Sequence, residues 1–348
     1  MKKVDTLIVG LGIAGLAYAE RLRKQQQSFY FIDEGHKGST QRAAGIYNPT
    51  VLKRFTISWR GVEFHKNAIP FYTQLDQDLQ INSLERFPIL KLFHQPTDHN
   101  LWVTASDKSG LDLFLDPKRY TDHMHGVNAP HGYGKVQHCG RLNTPLLLSA
   151  YAQRLEKEER IRFEKIDHAS FELAEDFVRY KNIEAKRVIF CEGFKMKQNP
   201  FFNSLPLVGS KGEILIIKAP KLQLKTILKG PIFIVPLGDD MYWAGATFNR
   251  TDKTTTTSEE GRQWLIAKID SMLKTPYSIV KHIAQIRPTV ADRRPLVGQH
   301  PLHNKLYLLN GFGSRGVLTA PTASQWLYDF IQNEHPLPEE VNLARFIK

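Results

Sequence analysis

Apolar runs and their polar interruptions divide the chain into strand–helix units at both ends and a strand-rich middle. Val4–Val9 is a short apolar run that stops at Gly10 and reads as a buried strand. Leu16–Gln26 sets Leu16 and Leu22 on one helical face beside small Ala17 and Ala19, and reads as a helix. Phe29–Ile32 is a second buried strand, ended by Asp33. Residues 55–80 carry Trp59, Val62, Phe64, Ile69, Phe71, Tyr72 and Leu75 at helical spacing, which predicts one helix broken before Pro70. Residues 84–137 read as irregular β structure with Pro, Gly, Asp and Asn turns.

Further on, Asn143–Glu159 predicts a helix that Thr144 caps, then a strand over Ile161–Ile166, a hairpin-like stretch through Tyr180 and a buried strand over Arg187–Gly193. Strands follow at Glu213–Ile217, Pro231–Pro236 and Met241–Ala246, the last two joined by a Gly-Asp-Asp turn. Ser258–Leu273 is a helix with Glu259 and Glu260 in its first turn. Leu306–Leu309 is the final strand and Val317–Gln332 the closing helix. No internal repeat is visible.

The join between the first strand and helix reads Gly10-Leu11-Gly12-Ile13-Ala14-Gly15. In G-x-G-x-x-G the first glycine serves the tight turn, the second lets the backbone approach a pyrophosphate, and the third lets helix pack on strand. The helix N-terminus then points free N–H groups at the phosphates. Asp33, about twenty residues on, stands where a carboxylate accepts hydrogen bonds from a ribose 2′-OH. The motif alone is weak. Placed between a strand and a helix, and followed by a strand ending in an acid, it identifies a dinucleotide site. An acid at that strand end favours FAD or NAD over a 2′-phosphorylated dinucleotide.

The 348 residues, 42% hydrophobic, suffice for about two domains. Lys2 and Lys3 ahead of an apolar stretch mimic a signal peptide, but Asp5 and three glycines interrupt it and the pattern runs on into a second strand. No run is long enough to span a membrane, so a cytoplasmic protein is expected. Two cysteines, Cys139 and Cys191, make no C-x-x-C pair or zinc pattern. His123, His125, His131 and His138 lie close in sequence, in what reads as surface loop, and are expected to be solvated rather than metal ligands. The net charge of +12 suits an anionic cofactor, an acidic substrate or nucleic acid. The lysines and arginines form no long run, so charge alone does not choose.

Four stretches together resemble the D-amino-acid-oxidase-like family of FAD-dependent oxidoreductases: Gly10–Gly15 with Asp33; Ser39–Gly45; Arg287-Pro288 with Asp292, Pro295 and Gly298; and Gly311–Pro321. The third is that family's R-P-x-x-x-D-x-x-P-x-x-G stretch. The fourth is similar both to glycine oxidases and to the oxidase half of the bacterial enzyme that modifies the tRNA wobble uridine. Its Gly313-Ser314-Arg315-Gly316 is closer to the latter.

The resemblance implies an α/β fold: a Rossmann-like, three-layer ββα FAD-binding domain over 1–50, 140–205 and 285–348, and an α+β substrate domain on a mixed β-sheet over 51–139 and 206–284. It implies that Gly10, Gly12, Ile13, Ala14 and Gly15 lie at the pyrophosphate and Asp33 at the ribose, with Glu34 alongside. Arg42, Ala43, Ala44, Gly45 and Ile46 would lie near the pyrophosphate and flavin, and Ile166 by the adenine, with Glu192 and Gly193 also at the cofactor. Gly311, Gly313, Ser314, Arg315, Gly316, Val317 and Leu318 would close the flavin end, where a helix N-terminus stabilises negative charge on reduced flavin.

The activity implied is oxidation of a C–N bond in an amino acid or N-substituted glycine, by hydride transfer from the α-carbon to flavin N5, giving an imine that hydrolyses. Arg287 would anchor the substrate carboxylate, with Arg315 the next candidate. Many relatives place a tyrosine where this chain has Phe233, so Tyr242 and Trp243 become the aromatic candidates for the pocket. No cysteine follows Cys191, so FAD is expected to be held non-covalently. Removal of a carboxymethyl group from a wobble uridine keeps the chemistry and enlarges the substrate to tRNA. An NAD dehydrogenase accounts for the first 35 residues alone, and a non-catalytic flavin protein is the plainest alternative. Trp59, Trp102, Trp264 and Trp326 are expected in the core, Thr254–Thr257 in a loop, and Arg293-Arg294 beside the site or on the surface.

Overall fold

Lys2–Val9 is the central strand of the first sheet in the computed structural model, which describes residues 1–35 and 38–346. His36 and Lys37, within the loop expected after Asp33, fall outside the described residues, as do Ile347 and Lys348. Phe29–Asp33 pairs parallel to one side of the central strand and Ile161–Phe163 beyond it. Ile183–Phe190 pairs parallel on the other side, followed by Leu306–Asn310. Leu7–Val9, Phe29–Ile32 and Val188–Phe190 are apolar and buried on both faces because both are covered there, as parallel sheets require. On one face, the helices Ile13–Lys24, Gly61–Leu79, Thr144–Lys157 and Gly316–Asn333 bury Leu16, Phe64, Tyr151 and Leu327 together.

The second sheet is mixed. Its order is Ser278–Arg287, Ser210–Lys218, Met241–Gly245, Phe233–Gly238, Ile227–Lys229, Ile89–Leu92, Tyr133–Val136, Leu115–Tyr120. All neighbours run antiparallel except Ile227–Lys229 with Ile89–Leu92. Period-two alternation sends Leu215, Ile217, Tyr242 and Ala244 to a core under the helix Glu259–Met272. Ile214, Trp243 and Gly245 face the opposite way, toward the first sheet.

Several elements differ from the sequence expectation. The helix predicted over 55–80 is Gly61–Leu79 and runs through Pro70. A mid-helix proline costs about 3 kcal/mol. Here Phe64, Ala68, Phe71, Tyr72 and Leu75 are buried against the closing helix, and the Tyr72 hydroxyl donates to the Val317 carbonyl at 2.9 Å. That packing also places this helix with the FAD-side layer, although the sequence grouped it with the substrate domain. A helix at Asp98–Ser106 interrupts the region expected to be β. The Thr144–Lys157 helix is capped by Asn143, whose Oδ1 accepts from Leu146 N at 3.3 Å. Thr144 instead donates its hydroxyl to the Thr40 carbonyl at 2.6 Å. Trp264, expected in the core, is 41% exposed, with Lys268 over its ring. Among the described residues, no helix is long and apolar enough to cross a membrane.

Candidate functional site

A cleft of about 1860 Å³ opens between the two sheets, where the ends of the parallel strands meet the inner face of the mixed sheet. Ligand pockets for small molecules run about 300–1,000 Å³, so this cleft has room for a dinucleotide and a second molecule. Every residue assigned to the cofactor from sequence lines it except Gly15. Gly15 packs beneath the turn, where a Cβ would strike the Gly10 carbonyl.

The helices Ile13–Lys24 and Gly316–Asn333 both begin at this cleft, and neither N-terminus is capped by the side chain of its own N-cap residue. Two positive dipole ends therefore face one space. Thr40 supplies one local acceptor, its Oγ1 taking the Ile13 N–H at 3.3 Å. The Asp33 carboxylate accepts from Leu11 N and Gly35 N, each at 2.7 Å. Each of its oxygens keeps a further lone pair for a ribose hydroxyl. Glu34 pairs with Lys195.

Ala43, Ala44 and Gly45 run along the cleft wall. Gly45 has φ +74°, and a Cβ there would collide with the Leu142 carbonyl oxygen. The chain at Gly45 therefore lies flush against Leu142, whose N–H it accepts at 2.9 Å. Ile166, Glu192 and Gly193 line another stretch of the wall. Glu192 is held by His168 Nε2 at 2.8 Å and Asn199 Nδ2 at 2.7 Å. Cys191 is buried beside it, and burial pushes its thiol well above the ordinary range. Uncapped helix ends, a preorganised acid and a small-residue wall together fit FAD.

The substrate-side wall is Ile214, Phe233, Trp243 and Arg287. Trp243 Nε1 donates to the Arg42 carbonyl at 3.2 Å, joining the mixed sheet to the cofactor side. Tyr242 does not reach the cleft. It points to the other sheet face, 3% exposed, and its hydroxyl accepts from Leu224 N at 3.1 Å. Strand alternation gives the cleft position to Trp243, so Tyr242 is withdrawn as a site residue.

Arg287 ends the Ser278–Arg287 strand, and its guanidinium lies over Gly212, where any Cβ would collide with it. Its contacts with the Thr247 carbonyl are long, 3.4 and 3.5 Å, and among the described residues no carboxylate lies within 4.0 Å. Burial lowers its pKa without discharging it. Arg315 is differently engaged. It donates to the Asn48 carbonyl at 2.7 Å and the Thr50 carbonyl at 3.3 Å, and so braces the 48–50 segment. Arg294 lies over the Trp59 ring at 4.6 Å, and Arg293 and Arg294 both line the cleft. Sequence reasoning missed His168, Lys195 and Lys229 as cleft residues, because each takes its place through contacts across distant parts of the chain, and gave no role to Thr40 within the Ser39–Gly45 stretch it named.

Fold and cleft define a two-layered α/β protein with a dinucleotide-sized cleft between a parallel sheet and a mixed one. Residues 5–330 match the family described as FAD dependent oxidoreductase (DAO), and the chain belongs to it; FAD is that family's cofactor. The chain is 24% identical over 388 residues to the tRNA 5-methylaminomethyl-2-thiouridine biosynthesis bifunctional protein MnmC of Azoarcus sp., covering 97% of this chain and 58% of that protein. It thus spans little more than half the length of that relative. It is 23% identical to the glycine oxidase of Bacillus licheniformis, covering 95% of this chain and 93% of that one. In fold it matches the glycine oxidase of Bacillus cereus with a TM-score of 0.81 at 18% identity, over 97% of this chain and 99% of that one. It matches the iminodiacetate oxidase of Chelativorans sp. with a TM-score of 0.78 at 18% identity, over 98% of each chain.

Proposed function

We propose that this flavoenzyme oxidises the C–N bond of an amino acid or N-substituted glycine. The observation that carries the reading is Arg287: a cleft-facing guanidinium with no carboxylate partner among the described residues and donors to spare. Its planar fork suits a carboxylate, to which it makes two parallel hydrogen bonds. Bound FAD supplies the two-electron acceptor for the hydride that leaves the α-carbon. The protein's part is placement. Arg287 holds the carboxylate, Phe233 and Trp243 keep water from the α-carbon, and the two helix N-termini favour negative charge in the cofactor. The amine nitrogen loses a proton as the hydride departs, and the imine formed takes up water and falls to a carbonyl compound and an amine. Anaerobic mixing of the holoprotein with glycine, N-methylglycine and other N-substituted glycines, followed by flavin absorbance, tests this. Bleaching by at least one of them is expected, and none by the matching amines that lack a carboxylate.

A second reading, removal of a carboxymethyl group from a wobble uridine of tRNA, is favoured by the rim of the cleft. Lys53, Arg54, Arg250, Arg293 and Arg294 stand there, and among the described residues none has a carboxylate within 4.0 Å. Phosphate-neutralising charge of this kind gives affinity that falls steeply with salt. No tRNA binding at low salt would remove this reading.

A further inference from the structure

Lys91 and Lys229 are direct partners across the parallel pairing of Ile89–Leu92 with Ile227–Lys229. Such strands lie about 4.8 Å apart, so the two side chains rise from one spot on the same face. That face is the inner one: Ile89 and Ile227 share its core, whereas Leu90, Leu92 and Leu228 face away beneath the Glu259–Met272 helix. Like charges placed directly opposite in a sheet destabilise it. Among the described residues neither has a carboxylate within 4.0 Å. Lys91 Nζ donates to the Leu92 carbonyl at 2.9 Å, and Lys229 Nζ to the Gly230 carbonyl at 2.8 Å and the Pro231 carbonyl at 3.3 Å. Asp98 is the acid whose charge reaches Lys91, and it forms no ion pair with it among the described residues. Lys53, from the turn after Thr50–Val51, adds a third positive charge that acts on Lys229. His94 lies within reach of both Lys91 and Lys229. Burial and the two neighbouring lysines push Lys229 down to about 8. Lys229 also lies over the Phe233 ring at 4.7 Å, and Lys53, Lys229 and Phe233 all line the cleft.

We propose that Lys53 and Lys229 on the cleft wall, with Lys91 paired beside Lys229 on the same sheet face, form a phosphate subsite, filled by a phosphate group of the substrate whose amino-acid end Arg287 holds. Three point-charge donors converging without a planar fork suit a phosphate better than a carboxylate. The strand of Lys229 lies four strands from that of Arg287, which is about 19 Å of sheet. A substrate reaching both is therefore extended, with its oxidisable amine near one end and its phosphate at the other. The phosphate supplies the missing counter-charge for the three lysines. This rests on Arg287 as carboxylate anchor, but the subsite can be tested without it.

The probe is inorganic phosphate, titrated calorimetrically into the FAD-loaded protein. Saturable binding is expected, weakened at least tenfold in Lys229→Met and in Lys91→Met, kept in Lys229→Arg and unchanged in Lys221→Met. In reductively ¹³C-methylated protein the Lys229 signal should titrate near pH 8, and move to higher pH when phosphate is added. Equal binding by wild type and Lys229→Met overturns the subsite. The origin of the phosphate is tested with N-(ω-phosphonooxyalkyl)glycines of rising chain length. Flavin reduction should pass through an optimum length, and the advantage should vanish in Lys229→Met. Equal, non-zero reduction along the whole series means that the phosphate is not the substrate's, and overturns the proposal. If phosphate binds through Lys229 but no member of the series reduces flavin, the subsite stands and the amine-oxidation reading fails.

Discussion

Replacing Arg287 separates an anchor from a structural brace. Its contacts with the Thr247 carbonyl, at 3.4 and 3.5 Å, lie beyond the 2.7–3.2 Å of a good N–H···O bond. They therefore contribute less than about 1 kcal/mol. A carboxylate held by the fork would gain two charge-assisted bonds of about 1.5–3 kcal/mol each. Arg287→Lys keeps the charge and one of these bonds. At about 1.4 kcal/mol per factor of ten, that loss is roughly 10- to 150-fold. Displacing the α-carbon by about 1 Å costs up to another 10²-fold. Catalytic efficiency toward a carboxylate-bearing amine should then fall by about 10²-fold or more. Arg287→Met should abolish carboxylate binding altogether. Neither change should lower the melting temperature or the FAD content, because an unpaired buried cation contributes nothing favourable to the fold. Stopped-flow flavin reduction against substrate concentration, with thermal melts of the same samples, makes the measurement. Unchanged reduction kinetics refute the anchor. A melting point lowered by several degrees together with FAD loss shows a brace instead.

Gly45→Ala should lose FAD. The added methyl meets the Leu142 carbonyl at φ +74° and must push the cofactor wall outward, so flavin per mole of purified protein should drop severalfold while circular dichroism changes little. FAD should also be non-covalent: acid precipitation should leave the yellow colour in the supernatant, since both cysteines are buried as neutral thiols, with Cys139 pushed up to about 12; colour in the pellet would refute this. Finally, Lys229 is depressed from 10.5 to about 8, so between about pH 8 and 10.5 the unfolded chain holds a proton that the folded chain has lost. Its effect on stability therefore becomes more favourable as pH rises through that window. Denaturant melts should show a difference between wild type and Lys229→Met that shrinks from pH 7 to pH 10; a constant difference would refute the assignment.

The cofactor side was legible because its signals are local. Gly10 to Gly15 fix a turn within six residues, and Asp33 follows at a set distance, so no long-range pairing had to be guessed. Arg287 came from the family's R-P-x-x-x-D-x-x-P-x-x-G spacing, and the structure puts it on the cleft wall. What stayed hidden depends on partners far along the chain. Tyr242 and Trp243 are adjacent aromatics, and only the position of the Glu259–Met272 helix decides which faces the cleft. The Asp98–Ser106 helix is mostly polar, with Trp102 and Ala105 among its few buried positions, so it shows little period. The 61–79 helix contains a proline that local rules forbid and tertiary packing overrides. Lys91 and Lys229 meet only through a parallel pairing between distant segments, which no window of sequence displays.

The cleft's phosphate end draws on both extremities of the chain. The first helix and the closing helix are fastened by Arg21, which donates to the Pro321 carbonyl at 2.9 Å across 300 residues. Closing a loop of that length costs about 5 kcal/mol beyond a constant term. On the ribosome, at roughly 5–20 residues per second, the first helix waits about 15–60 s for its partner. Throughout that interval Leu16, Ala17 and Leu22 lack the closing helix against which they are buried in the finished fold. Gly313–Leu318, which closes one end of the cleft, emerges later still than the segments that line its other walls.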